Sequence, residues 1–282
     1  MSTEFEERLA KSYEGLSDQL RRAGDFVATH PFDTASRSMR SVAREAEVAP
    51  ASFTRLAKAL GYDGFESLRD SLRAQIGDQV RSFADRAEAI GESVQFATAH
   101  LEACRSNLDA LSHGLDPQAL TEAADLLSGA RRVYLFGALG ATGIVEYLSY
   151  LAHYCTDNWH LIGRQGGSLG GGLAAVTEDD VLIVVTKPPF SSRAIRAARF
   201  AEESGAHVMV LTDSHTCPAL RYAQSSFILP TESPHFYSSY VATLTLIEIL
   251  IGMVVGRSGP AARDRIARVE QSNRRLDELL DG

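Results

Sequence analysis

A β-branched and apolar run, Val133 to Phe136, ends in Gly137-Ala138-Leu139-Gly140-Ala141-Thr142-Gly143, a glycine turn where a strand gives way to a helix. Backbone donors left free at such a helix start, together with its positive end, favour an anionic group such as phosphate. The glycines recur three apart and no acidic residue closes the second strand, so this is not the dinucleotide fingerprint. The competing reading is a strand-to-helix turn that needs glycine for close packing. A second set of polar groups lies in Ser233-Pro234-His235-Phe236-Tyr237-Ser238-Ser239, ahead of a long apolar helix. Its hydroxyls, Ser238 among them, either face the same cavity or cap that helix. Acid–base catalysis would draw on Glu or His. The candidates are His153, His207, His215, His235 and Glu232, of which only His215, Glu232 and His235 fall in loops at the ligand end. Asp213 and His215 lack a GxSxG nucleophile elbow, so no catalytic residue is assigned. His100 and Cys104 stand one helical turn apart with no further ligands nearby, and no metal or cofactor is called for.

These residues need a scaffold, and the pattern from Arg131 onward supplies one. Val133 to Phe136, Trp159 to Ile162, Val181 to Thr186, His207 to Thr212 and Phe227 to Leu229 read as five strands. Helical stretches at Thr142 to Tyr154, Ser191 to Ser204 and Cys217 to Tyr222 alternate with them, and Phe236 to Val255 follows the last. Alternation of this kind implies a mostly parallel sheet covered on both faces, whose ligands sit at the carboxyl ends of the strands. The cluster Gly166, Gly167, Gly170, Gly171 and Gly172 after the second strand reads as a lid or as a long turn. Pro260 to Leu280 reads as a surface or subunit-contact helix.

The first part of the chain has a different period. Met39, Val42, Ala43 and Ala46 keep helical spacing, the pattern breaks at Glu47 and Val48, and Pro50, Phe53, Leu56, Ala57 and Leu60 resume it until Gly61. This is two short helices joined by a tight turn. With the apolar positions inward, Ala51, Ser52, Thr54, Arg55 and Lys58 are expected outward, a face a major groove accepts. The stretch from Arg37 to Lys58, which includes Arg40, carries a local charge of +3 in a chain whose net charge is −8. Helices at Leu16 to Thr29 and Phe65 to Ile76 complete a bundle of four or five. From Gln79 to Leu111 the heptad-like positions Val80, Phe83, Ala87, Ile90, Val94, Ala97 and Leu101 predict a linker of one or two helices that also packs against a partner.

With 282 residues, 45% hydrophobic and 23% charged, the chain has room for about two globular domains. The acidic balance excludes indiscriminate polyanion binding, so a nucleic-acid site must be local. Cys104, Cys155 and Cys217 contain no CxxC pair, which points to free thiols in a reducing cytoplasm. The opening MSTEFEERLAKSYEG is acidic and has no apolar core, so no signal peptide is expected. The apolar run Val241 to Val255 carries Glu248 and reads as a buried helix rather than a membrane span.

The two halves together resemble one family. SVAREAEVAPASFTRLAKALGYDGFESLRDSL resembles the helix-turn-helix domain of the MurR/RpiR transcriptional regulators. Val133 to Val255 resembles their sugar isomerase (SIS) domain, with FGALGAT as its first loop, VLIVVT at its third strand and VLTDSHTCPAL at its fourth. The resemblance implies an α plus α/β chain: an all-helical helix-turn-helix bundle over residues 1–77, a helical linker over 78–117, and a SIS-type domain with a five-stranded sheet over 118–282. It also implies a homodimer or homotetramer that binds double-stranded DNA and senses a phosphosugar, sugar acid or related small carbohydrate-derived effector. The family's first ligand loop falls on Gly137, Gly140 and Thr142. Its second, usually a Ser-x-Ser-Gly-x-Thr run, falls on Thr186-Lys187-Pro188-Pro189-Phe190-Ser191. There Thr186 and Ser191 keep hydroxyls, two prolines remove backbone donors, and Lys187 offers a point charge in partial compensation. The expected DNA contacts are Arg40, Ser52, Thr54, Arg55 and Lys58. The alternative is a SIS-domain sugar-phosphate isomerase with a helical extension for assembly; a third is a SIS regulator whose helical domain binds a protein.

Overall fold

The computed structural model describes residues 4–79, 83–88, 90, 94–164 and 166–278. The chain divides into two compact units, Met1–Ile90 and Gly91–Gly282.

The first unit is helical: α1 (Glu4–Ser12), α2 (Asp18–Thr29), α3 (Pro31–Ser36), α4 (Met39–Glu45), α5 (Pro50–Ala59), α6 (Phe65–Gln79) and α7 (Phe83–Glu88). The short α1 and α3 were not expected from the periodicity. Phe5 and Leu9 of α1 close the core together with Ala23, Val27, Val42, Leu56 and Leu68. Phe53 is its centre, fully buried and edge-on to the rings of both Phe26 and Phe65. Because α5 packs against α2, α4 and α6, one of its faces is spent on the core and the other is left outside.

The turn between α4 and α5 is a Schellman motif. Val48 N donates to Ala43 O (3.0 Å), Glu47 N to Arg44 O (3.4 Å), and Val48 is buried. Glu47 takes the left-handed conformation this motif requires, with φ of 54°. The same bonds end α5, where Tyr62 N reaches Ala57 O and Gly61 N reaches Lys58 O; there a glycine holds the left-handed position with φ of 81°.

The second unit opens with α8 (Val94–Gly114) and α9 (Pro117–Gly129) and continues as β1 (Arg132–Gly137), α10 (Thr142–Cys155), β2 (Trp159–Leu161), α11 (Leu169–Leu173) and β3 (Asp180–Val185). Then come α12 (Ser192–Glu203), β4 (His207–Thr212), β5 (Ser225–Ile228), α13 (Val241–Ser258) and α14 (Pro260–Arg275). All pairings are parallel, and the strand order is β2-β1-β3-β4-β5. Side chains alternate across the sheet. Val133, Leu135, Val181 and Ile183 pack on the face holding α9, α10 and α13, while Tyr134, Phe136, Leu182 and Val184 meet the alanines of α12 on the other. By length and composition α13 is apolar enough to cross a membrane; in this fold it is a core helix whose Ala242, Leu246, Ile247, Leu250 and Val254 are buried.

The heptad-like stretch is divided between the units. Val80 lies outside the described residues, α7 belongs to the first unit, and α8 packs against α13 in the second. The glycine-rich segment after β2 forms the single helical turn α11, capped by Ser168 Oγ, which accepts from Gly171 N (2.9 Å). Leu280 of the terminal segment also lies outside the described residues.

Candidate functional site

Two places in the fold gather the chemistry-bearing residues, one in each unit. In the first, α4 is capped by Ser38, whose Oγ accepts from Ser41 N (3.3 Å), and α5 begins at Pro50 without a side-chain cap. The outer surface carries Arg40, Arg44, Arg55 and Lys58, all exposed. Among the described residues none of the four forms an ion pair; Arg55 reaches only Ser52 Oγ, at 3.4 Å. Arg37, by contrast, is committed to Glu45 at 2.6 Å and Asp33 at 3.7 Å. Thr54 is half-buried and its hydroxyl donates to Met39 Sδ (3.9 Å).

Ser52 departs from expectation: it is fully buried. It stands one helical turn before Leu56, so it shares the inward stripe with Phe53 and Ala57, and its small side chain fits there. The outward surface of α5 is therefore Ala51, Arg55, Lys58 and Ala59, with Thr54 at its margin.

In the second unit, β1 leads away to β2 on one side and has β3 on the other, so the chain diverges between β1 and β3. Such a switch point opens a crevice at the carboxyl ends of the strands. Gly137 is in register with Val185, and the loops 137–142 and 186–191 leave the sheet side by side. The structure thus brings Gly137, Gly140, Thr142, Thr186, Lys187 and Ser191 to one end of the sheet. Gly137 is a packing glycine: a Cβ there would lie 2.8 Å from Ala141 O and 2.9 Å from Val145. Gly140 faces the phenol of Tyr237, and a Cβ there would fall 2.2 Å from the hydroxyl. Arg164, after β2, braces the first loop by donating to Gly137 O (2.7 Å) and Thr142 O (3.4 Å) and pairs with Glu146 at 3.3 Å. Ser191 caps α12, its Oγ accepting from Arg193 N (3.3 Å).

Lys187, offered by the loop as a point charge, does not lie at the surface. It is buried, 4% exposed, because its stem turns under the segment that follows β5. Its Nζ donates to Ser239 O (2.7 Å) and lies 3.7 Å from the centre of the Tyr240 ring. Burial lowers its pKa to about 7, against the opposing pull of the nearby Asp213 carboxylate. Burial likewise raises the Asp213 pKa, opposed by Lys187 and by the Thr231 hydroxyl that donates to Oδ2 (3.2 Å). The other oxygen, Oδ1, is buried and has no hydrogen-bond donor among the described residues. Tyr237 and Tyr240 stack with centroids 6.2 Å apart, and burial raises the Tyr240 pKa. Ser239 Oγ accepts from Val241 N (3.3 Å), a capping role, while Ser238 is half-buried.

The remaining histidines divide between bracing and exposure. His153 bonds within α10 and His207 Nε2 meets Ser225 Oγ at 2.9 Å across the sheet, whereas His215 is exposed. His235 accepts from Tyr237 N at Nδ1 (3.2 Å) and its ring meets those of His100 and Phe96 from α8. One residue that periodicity could not single out is Asn107 of α8. It is buried and makes both bonds to one backbone unit: Nδ2 donates to Glu232 O (2.8 Å) and Oδ1 accepts from Glu232 N (2.9 Å).

A helical unit whose α5 presents a cationic outer face, followed by a parallel α/β unit with loops converging at its switch point, defines the class: a helix-turn-helix domain joined to a parallel α/β domain. Two family models match in that order, "Helix-turn-helix domain, rpiR family" over residues 3–79 and "SIS domain" over residues 126–253. The chain thus carries an rpiR-family helix-turn-helix domain followed by a SIS domain. It is 24% identical to the HTH-type transcriptional regulator HexR of Escherichia coli (strain K12) over 282 residues, covering 97% of this chain and 96% of that one. It is 25% identical to the Bifunctional protein glk of Paraburkholderia xenovorans (strain LB400) over 94% of its length, but spans only 42% of that longer protein. Among solved structures, Vibrio vulnificus NanR in complex with ManNAc-6P has the same fold, with a TM-score of 0.56 at 19% identity over 95% of this chain and 97% of that one.

Proposed function

We propose that the protein is a DNA-binding transcriptional regulator, acting as a homodimer or homotetramer in the cytoplasm, whose SIS unit senses a small carbohydrate-derived effector. The observation that carries this reading is the outer surface around α5: four cations, Arg40, Arg44, Arg55 and Lys58, exposed without ion-pair partners among the described residues, in a chain of net charge −8. Phosphate contacts by such residues position a helix in the major groove, and a guanidinium aimed at a base edge reads sequence. The relatives support the reading: HexR is named a transcriptional regulator, and NanR is a protein seen with a phosphosugar. The reading assigns binding, not turnover, to the strand-end loops. Effector binding there biases subunit packing and hence the spacing of two recognition helices.

The test is binding of the full chain to fragments of its own upstream region over a salt series. Saturable binding to one fragment is expected, weakening as salt rises. Arg55→Ala should cost about 1–3 kcal/mol if Arg55 reads a guanine, and Lys58→Ala should reduce the salt slope by about one. Equal, weak affinity for every fragment at all salt concentrations would defeat the proposal.

A further inference from the structure

The second unit has another opening, at the opposite end of its sheet. The loops 137–142 and 186–191 leave the carboxyl ends of the strands, whereas a cavity of about 370 Å³ lies beside the amino ends of β1 and β2. Residues of α9, α10, α13 and α14 line it, together with the turn that leads into β2. Its volume is that of a site for a small molecule. The buried part of the lining is apolar, with Leu127, Val254 and Ala262 each 1% exposed.

The polar part of the lining favours an anion. Arg265 of α14 donates from Nε to His153 O (3.1 Å), near the C-terminal end of α10, which leaves the two Nη groups. Asp157 approaches Nη1 only to 3.9 Å, and its side chain is 85% exposed, so this pair is weak and does not neutralise the guanidinium. Arg268, one turn further along α14, is exposed and forms no ion pair among the described residues. Thr156, directly after α10, also lines the cavity, and its buried hydroxyl has no hydrogen-bond partner among the described residues. The first turn of α14 contributes Ala261 and Ala262; the helix opens at Pro260 without a side-chain cap, so the amides of that turn have no intrahelical acceptor. The bland reading is that the arginines merely answer the C-terminal end of α10, but that role occupies Arg265 Nε alone.

We propose that this cavity is a second ligand site, separate from the strand-end crevice, for a small metabolite with a carboxylate or phosphate group. Arg265 and Arg268 hold the anionic group, and a short apolar body lies against Leu127 and Val254. The site stands whether or not the helical unit binds DNA.

The chain carries its own reporter. Trp159, its one tryptophan, is buried and directly follows Asn158, a residue of the cavity lining. The experiment titrates the full chain with inorganic phosphate, glycerol 3-phosphate, acetate and pyruvate at an ionic strength held constant with chloride, following Trp159 fluorescence and heat. At least one probe should saturate at millimolar concentration or below, and whether the phosphates or the carboxylates do so identifies the anionic group. Arg268→Gln, an exposed change that leaves the core intact, should weaken that probe by about tenfold. Thr156→Val should weaken it by about threefold with an unchanged Tm, because the hydroxyl has no partner in the fold to lose. A response that survives Arg268→Gln at full strength would place the anion elsewhere and overturn the site. Equal responses to chloride and to every probe would show an adventitious ion only, and the absence of saturation by any probe would likewise overturn the proposal.

Discussion

Asn107 and Glu232, 125 positions apart, are joined as two strands would be: one side-chain amide satisfies both the N–H and the C=O of one backbone unit, at 2.9 and 2.8 Å. The bond fastens the segment between β5 and α13 to α8. That segment carries Tyr237, Ser239 and Tyr240, so α8 positions the wall of the crevice.

Asn107→Ala should therefore destabilise the chain by roughly 2 kcal/mol, because it strands two backbone groups. For a unit of this size that is a fall in Tm of about 5 °C. Thermal unfolding followed by circular dichroism checks it, and an unchanged Tm would mean that the pair is compensated by water.

Glu47→Gly should stabilise the helical unit by about 0.5–1 kcal/mol, since Glu47 holds a left-handed conformation that Gly61 adopts without a Cβ penalty. The gain is read as a higher urea midpoint with an unchanged slope.

Lys187 gives a pH signature. Its pKa is near 7 in the folded chain and near 10.5 when free, so the unfolded state binds more protons between those values and stability rises with pH across that window. The slope from this group is at most about 1.4 kcal/mol per pH unit. Below about pH 7 its destabilising contribution is fully present. In Lys187→Met the slope disappears, so the unaltered chain should gain on the variant from pH 7 to 9. A stability difference that stays level over that range would show that Lys187 keeps its ordinary pKa.

Gly140→Ala should displace the Tyr237 phenol, whose hydroxyl lies 2.2 Å from the added carbon, at a cost of about 1–3 kcal/mol. In the background of Tyr237→Ala the same change should cost little, giving a coupling energy of about 1–2 kcal/mol. Additive losses would place the strain elsewhere.

The strands were legible because each buried run is short, β-branched and closed by a glycine or a polar turn; His207–Thr212 is recovered residue for residue. α9 carries signals as plain, Asp116 as cap, Pro117 at the first position and apolar residues at 120, 123, 124 and 127, yet it lies between stretches with stronger patterns. Ser52 is buried although its polar type predicts an outward face, because its angular position beside Leu56 decides its burial. Lys187 and Asn107 could not have been placed at all. Their environments are made by Ser239 and Tyr240, and by Glu232, residues 52 or more positions away, and nothing local to either residue encodes such a meeting.

The parallel sheet also sets an order of events during synthesis. The helices of the first unit meet partners close by in sequence, whereas β1 cannot close its ladder until β3, whose Asp180 pairs with Arg132, has been made. The nascent chain therefore completes its helical unit well before its sheet. On the proposed role, a transcript truncated between the two units yields a fragment with an operator-facing helix and no sensor to govern it.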